Sequence, residues 1–141
     1  MIVIDTNVLS ALMREVPERR VVEWLDRQAA PSIWITSITL FEARLGLALL
    51  PKGKRRQALE SAFDKVLVED LEGRVLDFDR PAAEAAAQLA AGRRREGQTI
   101  DMRDTQIAGI VIARRAEFAT RNVRHFSDLN VAVINPWDAD Q

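Results

Sequence analysis

Five apolar runs of only two to four residues recur along this chain, and residues with helical spacing fill the intervals between them. Ile2-Val3-Ile4 is the first run, followed by Asp5-Thr6-Asn7 and then by Val8, Leu9 and Leu12 at helical positions. Past Pro17, the residues Val21, Val22, Trp24, Leu25 and Ala29 predict an amphipathic helix closed by Pro31. Ile33-Trp34-Ile35 reads as a second strand, with Thr36-Ser37 capping a helix that carries Leu40, Phe41, Leu45, Leu47 and Leu49 up to Pro51. After the basic turn at 52–56, Ala58, Leu59, Ala62, Phe63 and Val66 mark another helix. Val75-Leu76 is a third strand, and Asp79-Arg80-Pro81 opens an alanine-rich helix with proline in its first turn. Helical spacing returns over 101–115, and 117–120 and 131–134 read as the last two strands. Such alternation predicts an α/β domain, a central, mostly parallel sheet of about five short strands flanked by helices. No linker, repeat or low-complexity stretch divides it, so 1–141 is read as one domain.

Composition narrows the chemistry. At 141 residues with 48% hydrophobic positions and a net charge of -1, the chain can bury a core and is neither disordered nor collagenous. No apolar run approaches the roughly 18 residues of a membrane span, and the N-terminus lacks the features of a secretory signal, so a cytoplasmic protein with no membrane partner is expected. The absence of cysteine removes disulfides, thiolate metal sites and thiol nucleophiles. With His125 as the single histidine, a bound metal is expected to be a hard, oxygen-seeking cation such as Mg²⁺ or Mn²⁺.

In an open parallel sheet, ligands bind beyond the carboxyl ends of the strands. Asp5 follows the first strand directly, and Asn122 lies just past the fourth. Glu42 shares a helical face with Ile38, Leu45 and Leu49, and Asp104 with Ile107, Ala108 and Val111, so both acids are expected to point inward. Buried carboxylates close together need compensation, and a divalent ion held by Asp5, Glu42 and Asp104 would supply it. Asp101, one turn before Asp104, could join them or orient the ligands from behind. Each acid also has a plain structural reading. Asp5 can cap the helix after it, and Thr39-x-x-Glu42 and Asp101-x-x-Asp104 both fit capping boxes.

Together, Ile4-Asp5-Thr6-Asn7-Val8, the stretch 36–46 around Glu42, Asp104 with Ile107-Ala108, Ala119-Thr120-Arg121-Asn122 and Asn135-Pro136-Trp137 resemble the PIN-domain ribonucleases. Within that superfamily the sequence is most similar to VapC-type toxins of the FitB-like branch, over essentially its whole length. The resemblance implies a PIN-like fold and a metal-dependent endoribonuclease toxin, restrained by a cognate antitoxin and commonly dimeric. It implies Asp5, Glu42 and Asp104 as the acidic metal site and catalytic residues, with Asn122 where many members carry a fourth acid and His125 where close relatives place another. It also puts Thr6 and Thr120 beside the carboxylates. Hydrolysis of RNA phosphodiesters by metal-activated water follows from such a site, and the resemblance adds products with 5′-phosphate and 3′-hydroxyl ends.

Arg121 and Arg124 flank Asn122 and are the candidates for backbone phosphate contacts, whereas 93–95 read as a solvated helix end. His125 has no recognisable partner in the sequence and is read as a surface or packing residue rather than a general base. Trp24, Trp34 and Trp137 are read as core or interface anchors. In the resembled proteins, the helices matching 18–29 and 37–66 help form the antitoxin groove. The alternative function is a catalytically inactive PIN-like module that binds RNA or an antitoxin. A phosphatase using Asp5 as nucleophile is weaker, because the second acid expected two residues later is Asn7.

Overall fold

The computed structural model describes residues 1–138; positions 139–141 of the expected 1–141 domain lie outside the described residues. Five strands, β1 (Ile2–Ile4), β2 (Ile33–Thr36), β3 (Val75–Leu76), β4 (Glu117–Ala119) and β5 (Val133–Ile134), form one sheet in the order β3-β2-β1-β4-β5. Every neighbouring pair is parallel. The chain starts at the centre, builds one half outward through β2 and β3, then returns to build the other. The order reverses between β1 and β4, and an open α/β sheet leaves its ligand crevice at that point.

The period-two alternation of the strands distributes the core. Ile2 and Ile4 of β1, Ile33 and Ile35 of β2 and Ala119 of β4 bury one face with Val8, Leu9, Val21, Trp24 and Phe63. Val3, Leu76 and Phe118 bury the other with Ile107, Ile110, Val111 and Phe126. The first face is covered by α1 (Thr6–Leu12), α2 (Arg19–Asp26) and α4 (Lys54–Lys65), and the second by α5 (Arg80–Arg95) and α6 (Met102–Arg114). Between the two sets, α3 (Ser37–Ala48) leaves β2 toward the crevice. No helix among the described residues is long and apolar enough to cross a membrane.

Caps fix where the helices begin. Thr36 accepts from the Thr39 amide at 3.1 Å, Asp79 from Ala82 at 3.1 Å and Asp101 from Asp104 at 3.0 Å, each meeting one of the orphan N–H groups of a first turn. The helix after Pro17 is shorter than expected: it stops at Asp26, and Pro31 sits inside a separate 3-10 turn, Ala30–Ser32. The last strand is likewise trimmed to Val133–Ile134, and α4 runs on into a π-helical turn, Val66–Asp70, that the apolar spacing did not reveal.

Candidate active site

Asp5 is where strand chemistry meets helix chemistry. It ends β1 and caps α1, its Oδ1 accepting from the Thr6 amide at 2.8 Å. Its Oδ2 accepts from the Thr120 hydroxyl at 2.8 Å, just past β4, and from the Asn7 side-chain amide at 3.4 Å. Thr120 is fully buried, and its oxygen in turn accepts from the Asn122 backbone N–H at 3.1 Å. Asp5 is only 4% exposed. Burial pushes its carboxyl up to about 6, opposed by the bonds from Thr120 and Thr6 and reinforced by the negative charges of Asp104 and Glu42.

Glu42 reaches the same crevice from the second turn of α3. Its Oε1 accepts from the Thr6 hydroxyl at 2.8 Å, and Thr6 lies 2.9 Å from the hydroxyl of Thr39. The single proton of Thr6 goes to the carboxylate, so Thr39 donates to Thr6, and the Thr36 hydroxyl, 3.4 Å away, donates to Thr39. This chain of three threonines ends on an acceptor and fixes the direction of the Glu42 carboxylate. Asp104 enters from the first turn of α6. Its backbone N–H is used by the Asp101 cap, while its Oδ2 lies 3.2 Å from His125 Nε2. Burial raises the Asp104 carboxyl, with Asp101 and Glu42 adding to the rise and His125 and Arg93 opposing it.

Asp5, Thr6, Glu42, Asp104, Arg121 and Asn122 thus line one open cleft of about 400 Å³. A larger cavity of about 870 Å³ adjoins it and shares Asp104, Arg121 and Asn122, adding Asp101, Arg124 and His125. Arg121 lies over the indole of Trp137 at 4.8 Å from the ring centre. The three tryptophans behave as expected of anchors: Trp24 is buried, and Trp34 and Trp137 pack against the core from partly buried positions.

Several expectations need correction. Glu42 and Asp104 do not point into the interior; their side chains are 23% and 30% exposed and face the cleft, because the helical faces they share end at the open crevice rather than under another layer. The Thr39-x-x-Glu42 capping box does not form, since α3 begins at Ser37 with Thr36 as its cap. Asp101 stands behind Asp104 with an exposed side chain, capping α6 through the Asp104 amide and lining the adjoining cavity beside it. His125 does have a partner, Asp104, which no short-range spacing could reveal. Arg93 is not solvated but 2% exposed and paired with Asp128, while Arg94 and Arg95 remain at the surface.

Three residues that the sequence did not place among the site residues also contribute. Asn7 holds Asp5 and accepts from the Arg121 backbone N–H at 3.2 Å, tying α1 to the turn after β4. Thr39 is the middle hydroxyl behind Glu42, and Arg103 stands 3.7 Å from Glu42 and over Phe41. The sequence pointed to Asn7 through its place in the motif Ile4-Asp5-Thr6-Asn7-Val8.

Among the described residues, no three acidic or histidine side chains close into a metal cage of their own. The donors facing the cleft are nevertheless all oxygen, and the repulsion that Asp5 feels from Asp104 and Glu42 is the kind a cation relieves. The set therefore fits a hard divalent ion that keeps part of its water shell.

Comparison with known proteins agrees with this architecture. Residues 2–131 match the PIN domain family. The VapC ribonuclease Y4jK of Sinorhizobium fredii is 38% identical, over 98% of this chain and 99% of that protein. Toxin FitB of Neisseria gonorrhoeae is 37% identical over 97% and 99%. The crystal structure of FitAcB from Neisseria gonorrhoeae superposes with a TM-score of 0.89 at 37% identity, covering 98% of this chain and 99% of the matched one. With the strand order, the crevice and the sequence all in agreement, this chain belongs to the PIN-domain family.

Proposed function

We propose that the protein is a metal-dependent endoribonuclease, the toxin of a toxin-antitoxin pair, in which Asp5, Glu42 and Asp104 hold Mg²⁺ or Mn²⁺. The observation that carries this reading is the convergence of three carboxylates, from the end of β1, the second turn of α3 and the first turn of α6, on one open cleft at the sheet's reversal point. The names of the relatives, a VapC ribonuclease and a toxin, support it. A divalent ion bound there would polarise the scissile phosphodiester and lower the pKa of water.

The chain's own residues supply the rest. Thr120 and the Thr6 amide hold both oxygens of Asp5, and the threonine chain holds Glu42, so two carboxylates are fixed before substrate arrives. Arg121 and Arg124 at the adjoining cavity take backbone phosphates, and Asn122 orients substrate or water without adding charge where they meet. An antitoxin segment is accommodated by the apolar groove of about 310 Å³ beside Glu42, lined by Leu9, Met13, Leu47, Leu59 and Phe63. Phe41 and Met102, 52% and 65% exposed, are available to a second copy of the chain in a homodimer.

The test is cleavage of a labelled RNA panel by the antitoxin-free protein with Mg²⁺, with Mn²⁺ and with EDTA, alongside Asp104→Asn. Cleavage is expected with either metal, none with EDTA, and none from the variant. Silence of the wild type together with absent metal binding would replace this reading with that of an inactive module binding RNA or an antitoxin.

A further inference from the structure

The carboxylates at the cleft are held by neighbours within it, but the turn that carries Asn122 and His125 is held from below. That turn, Val123–Phe126, leaves β4 and lies across the end of α5. Arg93, near the end of α5, is 2% exposed. Its Nε donates to Asp128 Oδ2 at 2.8 Å, and its Nη2 donates both to Asp128 Oδ1 at 2.9 Å and to the His125 carbonyl at 2.9 Å. Phe126 stands fully buried between them, edge-on to Phe118 at 4.9 Å and to the His125 ring at 5.1 Å. The far side of that imidazole is the 3.2 Å contact with Asp104.

Stability alone does not account for a cation at this place. A buried charge costs desolvation that a half-exposed partner such as Asp128 only partly returns, and Arg93 also keeps Nη1 buried with no partner among the described residues. What two parallel N–H···O bonds provide is direction: they set the plane of the guanidinium and, through its third bond, the height of the His125 carbonyl. An apolar residue would fill the space and leave that height to chance.

We propose that Arg93 and Asp128 are positioning residues, a clamp with a buried guanidinium that sets the 122–126 turn so that His125 bears on Asp104 and Asn122 stands at the mouth of the cleft. The importance of the clamp for cleavage rests on the nuclease reading above; its structural half does not. Neither residue lines the cleft; beyond the direct pull of the Arg93 charge on Asp104, which Arg93→Lys keeps, the clamp acts through the turn.

His125 is the single histidine of the chain, so imidazole ¹H–¹⁵N spectra contain one ring to follow. The experiment compares these spectra and the steady-state constants of the wild type with those of Arg93→Lys and Asp128→Asn, on the full chain below its unfolding transition. The clamp predicts displaced and broadened His125 signals in both variants, with kcat lower by about 10–100-fold and KM little changed, as for residues behind a site. Should Arg93→Lys fail to fold, Asp128→Asn decides, since that side chain is 34% exposed and its replacement is the same size. Folded variants with wild-type His125 signals overturn the clamp, and so do displaced signals with kcat intact or with the loss appearing in KM. A wild type that cuts no RNA removes the nuclease reading instead, and the His125 signals alone then decide the clamp.

Discussion

Asp5→Asn is expected to cut RNA cleavage by about 10³-fold while making the metal-free protein more stable at neutral pH. A bound metal supplies several kcal/mol of transition-state stabilisation, and about 1.4 kcal/mol is tenfold in rate, so loss of one of the carboxylates proposed to hold it would have this size. The stability half follows from burial. Asp5 titrates near 6 in the folded chain against 3.8 for the ordinary group, and a unit of pKa corresponds to about 1.4 kcal/mol. The folded state therefore binds a proton more tightly than the unfolded one, and stability falls as pH rises from about 4 to about 6 and levels off above. At pH 7 the ionised group costs about 3 kcal/mol. Asparagine removes the charge but disturbs the bond from Thr120, a loss of about 1 kcal/mol, which leaves a net gain of about 1–2 kcal/mol. Thermal melts without metal should show Asp5→Asn melting roughly 5 °C above wild type at pH 7, with the difference shrinking as pH falls toward 4. Mg²⁺ should raise the wild-type Tm at pH 7 and leave the variant almost unmoved, because a ligand stabilises in proportion to its occupancy of the folded state. Undiminished cleavage by Asp5→Asn would remove Asp5 from the chemistry; a lower Tm would mean that its hydrogen bonds outweigh its charge.

Gly109→Ala is expected to destabilise the fold by about 2–3 kcal/mol, against the direction that helix propensity gives. In an exposed helix, alanine gains about 1 kcal/mol over glycine. Gly109 lies in α6 where α5 crosses it, and these two helices form the most extensive helix pair in the fold. A Cβ there would stand 2.5 Å from the Ala82 carbonyl oxygen, 2.6 Å from the Ala86 Cβ and 2.9 Å from the Ala86 N. All three belong to α5 and two are backbone, so no side chain can turn away and the helices must separate. Denaturant unfolding measures the effect directly, and a variant as stable as wild type would show that α5 shifts at little cost. Because α5 carries Arg93 and α6 carries Asp104, lost cleavage should accompany lost stability.

The fold was legible because buried parallel strands leave a mark that local pattern can read. Ile2-Val3-Ile4 and Ile33-Trp34-Ile35 are too short and too apolar for helices, and the caps at Thr36, Asp79 and Asp101 sit where the chain turns. The carboxylates were legible for a related reason: an acid directly after a buried strand, or on an apolar helical face, has a position that solvation alone does not explain. Long-range partnerships were not. Arg93 looked like the basic end of a helix because its partner lies 35 residues away, and His125 looked isolated because Asp104 reaches it from another helix. The orientation of Glu42 was half legible: spacing gave the face, but whether that face met a core or a crevice depended on where α6 lay.

The central strand has a consequence for how the protein is made. β1 is the first strand made, yet it stays open on one side until β4, which begins at Glu117, pairs with it, and the Asp5 to Thr120 bond joins residues 115 apart. Contacts of such span form late, and domains emerge from synthesis N-terminus first. A nascent chain halted before β4 holds Asp5, Glu42 and Asp104 but has neither the strand that pairs with β1 nor Thr120 to fix the first carboxylate. The hazard of translating a nuclease beside the RNA that encodes it is thus confined to the stage after β4 and Thr120 have been made.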